Sequence, residues 1–181
     1  SWSQTVSVTP VALAASTTFL SPVCGGDSGT VTVAGLGGQG PYTYSNDHVT
    51  YVGTDAFAAE AGTATYYVQD ANGCFANASA TVTEPTILTA NITVVNAECF
   101  GDPMSVSIIG AGGEGPYTYS NDSVTYSGID TYAVVAGTES YYVQDANGCL
   151  ANDSATATEP PILTVSTSVV NALCFGDNGS V

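Results

Sequence analysis

The chain repeats itself without gaps at a step of 75 residues, and a fixed period settles the architecture before any local propensity is weighed. Cys24, Cys99 and Cys174 recur at that step, as do Cys74 and Cys149. Pro41 to Asp47 returns as Pro116 to Asp122, and Tyr66 to Cys74 returns as Tyr141 to Cys149. Residues 11–85 and 86–160 agree at 44 of 75 positions, and Pro10, Pro85 and Pro160 mark the joints. The chain therefore divides into the tail of a preceding repeat (1–10), two whole repeats (11–85 and 86–160) and the head of a following one (161–181). An unpaired head of this kind is a donor or linking strand for a neighbour.

Within the second repeat, short β-prone runs separated by turn residues fall at Leu88 to Val95, Ser105 to Ile109, Tyr117 to Ser120 and Val124 to Tyr126. They continue at Thr131 to Val135, Ser140 to Gln144 and Ala151 to Thr158. Val106 and Ile108 alternate with Ser105 and Ser107, the period of a strand with one buried face. The glycines at 110, 112, 113 and 115 and the Asp145-Ala146-Asn147-Gly148 segment carry turn chemistry, and no helical stripe competes. Seven short strands at this spacing predict an all-β chain of tandem immunoglobulin-like antiparallel β-sandwich domains of about 75 residues.

Composition restricts the surroundings. The chain has no lysine or arginine, 16 acidic residues and one histidine, for a formal net charge of -16. Phosphate recognition needs cations, so nucleic acid and anionic membranes are not expected partners. Salt bridges to Lys or Arg and lysine isopeptide crosslinks are impossible. No run approaches the roughly 18 apolar residues that would span a bilayer. With 44% hydrophobic and only 9% charged residues, the chain is too apolar for a disordered acidic tail.

Each whole repeat carries two cysteines 50 residues apart, and paired, regularly spaced cysteines read as disulfides of an extracellular protein. The expected bridges are Cys24 with Cys74 and Cys99 with Cys149, with the partner of Cys174 outside the chain. A Cys74–Cys99 link between repeats and free thiols are the alternatives. An up-and-down path of seven strands would bring the two cysteines of a repeat to one pole. Zinc is poorly supported, because there is no C-x-x-C pair and His48 becomes Ser123 in the second copy. The same pole would gather Asp27, Asp70 and Asn72, with counterparts Asp102, Asp145 and Asn147. These are either hard oxygen ligands for Ca²⁺ or turn caps.

Catalysis finds little support. A serine triad needs a histidine base, and His48 lies beside Asp47 in a turn. Paired carboxylates need a cleft to become glycosidase machinery. Tyr42, Tyr44, Tyr51, Tyr66 and Tyr67 are either a sugar-binding face or packing residues, and alternation separates Tyr66 from Tyr67. Asn77, Asn91, Asn121, Asn152 and Asn178 each open an N-x-S/T triplet, the acceptor pattern for N-glycans.

In combination, C-F-G-D at Cys99 to Asp102 and Cys174 to Asp177, G-P-Y-T-Y at Gly40 to Tyr44 and Gly115 to Tyr119, D-A-N-G-C and the closing T-E-P resemble the SprB repeat. That family occurs in gliding-motility adhesins and other long cell-surface proteins of Bacteroidota, and the likeness covers essentially the whole chain. Cys24-Gly25-Gly26-Asp27 departs from C-F-G-D, as does the absence of basic residues from a motility adhesin. The resemblance implies secretion, display as filaments, and adhesion or scaffolding without catalysis. It also implies O-linked glycans at Asp-Ser or Asp-Thr followed by an apolar residue, which marks Ser123, Ser154 and Thr131. The expectation is a glycosylated structural repeat that self-associates or continues a longer array as a filament or stalk on a bacterial surface. The alternative is an adhesin module that binds carbohydrate or another surface ligand.

Overall fold

Alternating burial along the β-branched runs is the pattern of strands with one face covered. In the second strand Val31 and Val33 are fully buried while Thr30 is exposed, and Val106 and Ile108 repeat this in the second copy. The computed structural model describes residues 11–176 and 178–181, and among these it holds twelve strands and no helix. Residues 1–10, read above as the tail of a preceding repeat, lie outside the described residues, as does Asp177.

The first repeat contributes β1 (Ala14–Leu20), β2 (Gly29–Leu36), β3 (Thr43–Ser45), β4 (Ala56–Ala59), β5 (Gly62–Gln69) and β6 (Phe75–Val82). The second contributes β7 (Thr89–Val95), β8 (Met104–Ala111), β9 (Thr118–Ser120), β10 (Thr131–Val134), β11 (Gly137–Gln144) and β12 (Leu150–Ala157). They form four antiparallel three-stranded sheets, ordered β1-β2-β4 and β3-β5-β6, then β10-β8-β7 and β12-β11-β9. Register is continuous along the long pairs, from Ala14 opposite Leu36 to Leu20 opposite Thr30, and from Gly62 opposite Val82 to Gln69 opposite Phe75.

Two expectations are corrected. Each repeat has six strands, because the predicted run Val124 to Tyr126 is a turn. The path is not up-and-down either: the chain leaves the first sheet after β2, returns for β4 and leaves again for β5. Among the described residues of 161–181, expected to supply a strand, there is none, and the segment makes an isolated bridge between Val170 and Ser180.

Side chains from both sheets of the first repeat meet in one cluster: Val31 and Val33 of β2, Ala59 of β4, Tyr66 of β5, and Ala80 and Val82 of β6. In the second repeat Val106, Ile108, Tyr141 and Ala155 do the same. Each valine or isoleucine among them contributes about 1.5–3 kcal/mol by leaving water. By contacts the chain falls into two compact units whose borders cut across the repeats. Among the described residues the first takes 11–89 with Gly110–Tyr117 and Val143–Ala151, and the second takes Ala90–Ile109, Thr118–Tyr142, 152–176 and 178–181. The glycine turn and the Asp-Ala-Asn-Gly-Cys loop of the second repeat thus belong with the first unit.

The turn that replaces the seventh strand has a local cause. Asp47 Oδ1 accepts from the backbone N–H groups of Val49 and Thr50, both at 2.8 Å, and from the Ser45 hydroxyl at 2.7 Å. Asp122 holds Val124, Thr125 and Ser120 in the same way. His48 and Ser123 both adopt a φ of 61° there, a conformation that a strand cannot use. The donors from Thr50, Val49 and Ser45 hold the Asp47 carboxyl at about 2, below its ordinary 3.8, and the same donors in the second repeat lower Asp122 as well.

Ionised Asp47 therefore stabilises the fold fully above the unfolded value, and that contribution fades as pH falls through about 2. The wild-type melting temperature should drop between pH 4 and pH 2. Asp47→Asn should start lower at neutral pH and show a shallower acid slope; equal slopes by calorimetry would refute this role. In the core, Ile108 is 1% exposed and Ile109 is 59% exposed. Ile108→Ala should cost about 2–5 kcal/mol in urea unfolding, and Ile109→Ala about 0.5 kcal/mol or less.

Candidate functional site

The repeated Asp-Ala-Asn-Gly-Cys segments are tight loops built on one carboxylate. Asp145 Oδ1 accepts from the N–H groups of Asn147 and Cys149, each at 2.9 Å, and Oδ2 accepts from Glu114 N at 3.0 Å. Burial pushes the Asp145 pKa up, but these backbone donors outweigh it and hold the carboxyl below its usual range. Asp70 does the same for Asn72, Cys74 and Gln39, and its carboxyl is lowered chiefly by the Gln39 and Cys74 N–H groups. The glycine turn must approach closely: a Cβ on Gly113, whose φ is 58°, would lie 2.5 Å from Asp145 Oδ2. Tyr117 closes this turn by donating its hydroxyl hydrogen to Gly112 O at 2.7 Å.

The other cysteine of each repeat sits in the loop between its first two strands. Asp27 N donates to Cys24 O, and Asp102 N to Cys99 O. The glutamate of the closing T-E-P motif caps this loop from the far end of the repeat. Glu84 Oε2 accepts from Gly26 N at 2.9 Å, and Glu159 Oε1 accepts from Gly101 N at 2.6 Å.

The one disulfide among the described residues joins Cys24 to Cys149, with Cα atoms 5.6 Å apart. This corrects both expected bridges, Cys24 with Cys74 and Cys99 with Cys149, and the alternative of Cys74 with Cys99. The reason lies in the strand order. Cys24 follows β1 at the end where β6 finishes, as the Glu84 to Gly26 bond shows. Cys74 joins β5 to β6 at the other end, where Asp70 meets Gln39. Between them run the eight residues of β5, about 26 Å at strand rise, far beyond the 4.4–6.8 Å between Cα atoms that a disulfide tolerates. A cysteine at one end of a repeat can therefore bond only to a neighbour. Cys74 and Cys99 are free, exposed thiols.

Around the disulfide, within the first unit, Gly25, Asp27, Thr86, Ile87 and Leu88 face Gly113, Asp145, Gly148 and Leu150 across a shared hollow. Leu88 is only 8% exposed. A Cβ on Gly25 would meet Pro85 O at 2.6 Å and Ile87 N at 2.8 Å, so the loop carrying Cys24 rests against the inter-repeat segment. The sequence reading singled out the cysteines and noted Gly25 as a departure, but did not assign Ile87 and Leu88 to a joint. The signal was present in Ile87-Leu88-Thr89 and its repetition at Ile162-Leu163-Thr164.

Of the calcium set, Asp27 and Asp145 line the same hollow, but the members of one repeat are not brought together. Asp27 lies at one end of its repeat and Asp70 with Asn72 at the other. The carboxylates of Asp70, Asp102 and Asp145 are engaged with backbone N–H groups, and Asn147 donates its own N–H to Asp145. Among the described residues, no group of three or more His, Cys, Asp or Glu is placed to hold a metal ion. The eight glycosylation candidates, Ser123, Ser154, Thr131, Asn77, Asn91, Asn121, Asn152 and Asn178, are all exposed.

The tyrosines divide as alternation predicts: Tyr66 is buried in the core and Tyr67 faces outward. Tyr67 stacks on His48 at 4.2 Å between ring centroids, with Phe75 and Tyr51 edge-on to the same imidazole. The second repeat has Ser123 and Leu150 in place of His48 and Phe75, so this aromatic cluster is specific to the first. Tyr42 donates its hydroxyl hydrogen to Gly37 O, and Tyr44 packs against the core.

No family model matches the chain, and no curated protein is similar to it.

The disulfide is directly testable. Cleavage after glutamate spares the Glu84–Pro85 and Glu159–Pro160 bonds, so in the Cys174→Ser chain it leaves each cysteine on its own peptide: 1–60, 61–98, 99–114 and 140–181. Under non-reducing conditions 1–60 should be joined to 140–181; a 1–60 to 61–98 link would contradict the structure. Cys149→Ser should lower thermal stability, because the bond closes a loop of 125 residues, worth on the order of 4–5 kcal/mol by loop-closure entropy.

Proposed function

We propose that this chain is a structural repeat protein of an extracellular filament or stalk, in which tandem repeats are fastened to one another by disulfides. The observation that carries this reading is the Cys24–Cys149 bond, which joins the first loop of one repeat to the Asp-Ala-Asn-Gly-Cys loop of the next. A disulfide within a domain stabilises that domain; one that joins consecutive repeats carries load along an array. Such bonds persist in oxidising compartments outside the cytosol.

The strand orders β1-β2-β4 and β3-β5-β6 correspond to the A-B-E and C-F-G sheets of an immunoglobulin-type sandwich without its D strand. This supports reading each repeat as an immunoglobulin-like domain and agrees with the resemblance to the SprB repeat of Bacteroidota surface proteins. The role is scaffolding without catalysis. Exposure of Ser123, Ser154, Thr131 and the five asparagines supports a glycan coat, which would also cover strand edges that have no lysine to discourage pairing. Absence of basic residues argues against nucleic acid and anionic lipid as partners.

The aromatic cluster of His48, Tyr51, Tyr67 and Phe75 favours a second reading, an adhesin module that stacks a sugar against exposed rings. Electron microscopy of the native material separates the two. Continuous filaments whose step spans one repeat, with added density on Ser, Thr or Asn, are the expected result. Isolated chains with no contacts along their length, together with a saturable carbohydrate ligand lost in His48→Ser, would transfer the assignment to an adhesin.

A further inference from the structure

The aromatic cluster of the first repeat stands on a sheet face whose plan the two repeats otherwise share. On the outward side of β5 and β6, Tyr67 lies opposite Asn77, and Gln69 lies opposite Phe75. The second repeat has Tyr142, Asn152 and Gln144 at the matching positions, but Leu150 for Phe75 and Ser123 for His48. The fold therefore requires neither ring, and the turn keeps a φ of 61° with His48 or with Ser123. In the first repeat the imidazole lies flat on Tyr67, and Phe75 meets it at 86° with 5.6 Å between centroids. Tyr51 completes the group, 5.7 Å from Phe75. His48 and Phe75 are both exposed, so two flat apolar faces form a corner open to solvent.

That exposure belongs to the position in the repeat. Leu150, the counterpart of Phe75, lines the hollow around the disulfide and is still 61% exposed there. The segment that packs on the Asp70 loop is in place too, since a Cβ on Gly38 would meet both Asp70 Oδ2 at 2.6 Å and Leu13 Cδ1 at 3.2 Å. Within the cluster, Tyr51 Oη is the one buried side-chain oxygen among the described residues that has no hydrogen-bond partner. Buried hydroxyls are nearly always paired, and departures from such rules gather at functional sites. Charge narrows the ligand further. Asp47 adjoins His48, and the chain has no Lys or Arg, so an anionic ligand would meet like charge.

Resting on the adhesin reading of these rings, and independent of the filament, we infer that the corner binds a neutral saccharide whose pyranose rings carry equatorial substituents. Such a ring turns axial C–H groups to its two flat faces, and these suit the negative faces of aromatic rings. One sugar ring rests in the corner of His48 and Phe75, while an axial hydroxyl there would hold it off. The amides of Gln69 and Asn77, on the same sheet face, both donate and accept hydrogen bonds and serve the hydroxyls. Apolar walls with a few polar groups are the usual make-up of a small-molecule site. Asn77 then stays bare, while the other acceptor residues remain open to glycans.

The test is native electrophoresis of the full chain through gels containing hydroxyethyl cellulose, a neutral β-linked glucan, or carboxymethyl cellulose, the same backbone bearing carboxylates. The neutral polymer should retard the chain and the anionic one should not. The double variant His48→Ser with Phe75→Leu gives the first repeat the residues of the second, so its melting temperature should hold. Its retardation should need about tenfold more neutral polymer, the loss expected for two stacking contacts. If that variant melts early, Asn77→Ala, which leaves the rings in place, must by itself weaken retardation. Retardation that these variants leave unchanged would overturn the site, as would a glycan on Asn77 in peptide 61–98 of native material. Equal retardation by both polymers removes only the neutral class, while none by either removes the sugar platform as well. The Cys24–Cys149 link and the filament are read by digestion and microscopy without sugar, so neither result touches them.

Discussion

A strand of eight residues is about 26 Å long, and that length governs everything distinctive about this protein. It separates the two cysteine-bearing loops of a repeat, so neither can reach its own partner. The bond from Cys24 must leave the repeat, and it reaches Cys149 in the next one. The six-strand path enforces the separation, because crossing between sheets after β2 and after β4 places the β1–β2 and β5–β6 loops at opposite ends. The disulfide thus joins two repeats, while each repeat is held internally by sheet hydrogen bonds, carboxylate-closed turns and side-chain packing.

With no lysine or arginine anywhere, the carboxylates do the work that salt bridges do elsewhere. Asp47 and Asp122 close the turns after β3 and β9, Asp70 and Asp145 shape the cysteine loops, and Glu84 and Glu159 cap the loops at the other end. Each accepts from backbone N–H groups. Bonds from an ionised carboxylate to N–H donors are stronger than neutral ones, and they fix loop shape without a second side chain that must also be ordered. An acidic chain can therefore have well-defined loops without a basic partner. The same composition leaves trypsin-like proteases without a basic residue to cleave after.

The sequence was legible where local chemistry decides. The alternation of Val106 and Ile108 with Ser105 and Ser107 located β8, and the separation of Tyr66 from Tyr67 across a sheet followed from the same period of two. Val124 to Tyr126 was misread as a strand because β-branched and aromatic residues recommend one, yet three hydrogen bonds to Asp122 outweigh that preference. The disulfide was misread because spacing along the chain says which cysteines recur together but not which end of the fold each occupies. The candidate calcium set was grouped wrongly for the same reason: Asp27 and Asp70 recur as companions in sequence and lie at opposite ends of the repeat, while Asp27 meets Asp145 of the next.

By itself the sequence determined that the chain is a gapless 75-residue repeat, all-β, acidic and lacking cations, with cysteines in two fixed turn settings. Those properties depend on residue type and on neighbours a few positions away. Only the tertiary structure decided that Cys24 bonds to Cys149, that Leu88 is covered, and that Asp145 orders a loop at a joint. Those outcomes depend on the order in which the strands pair, and sheet order is set by long-range packing that no local pattern encodes.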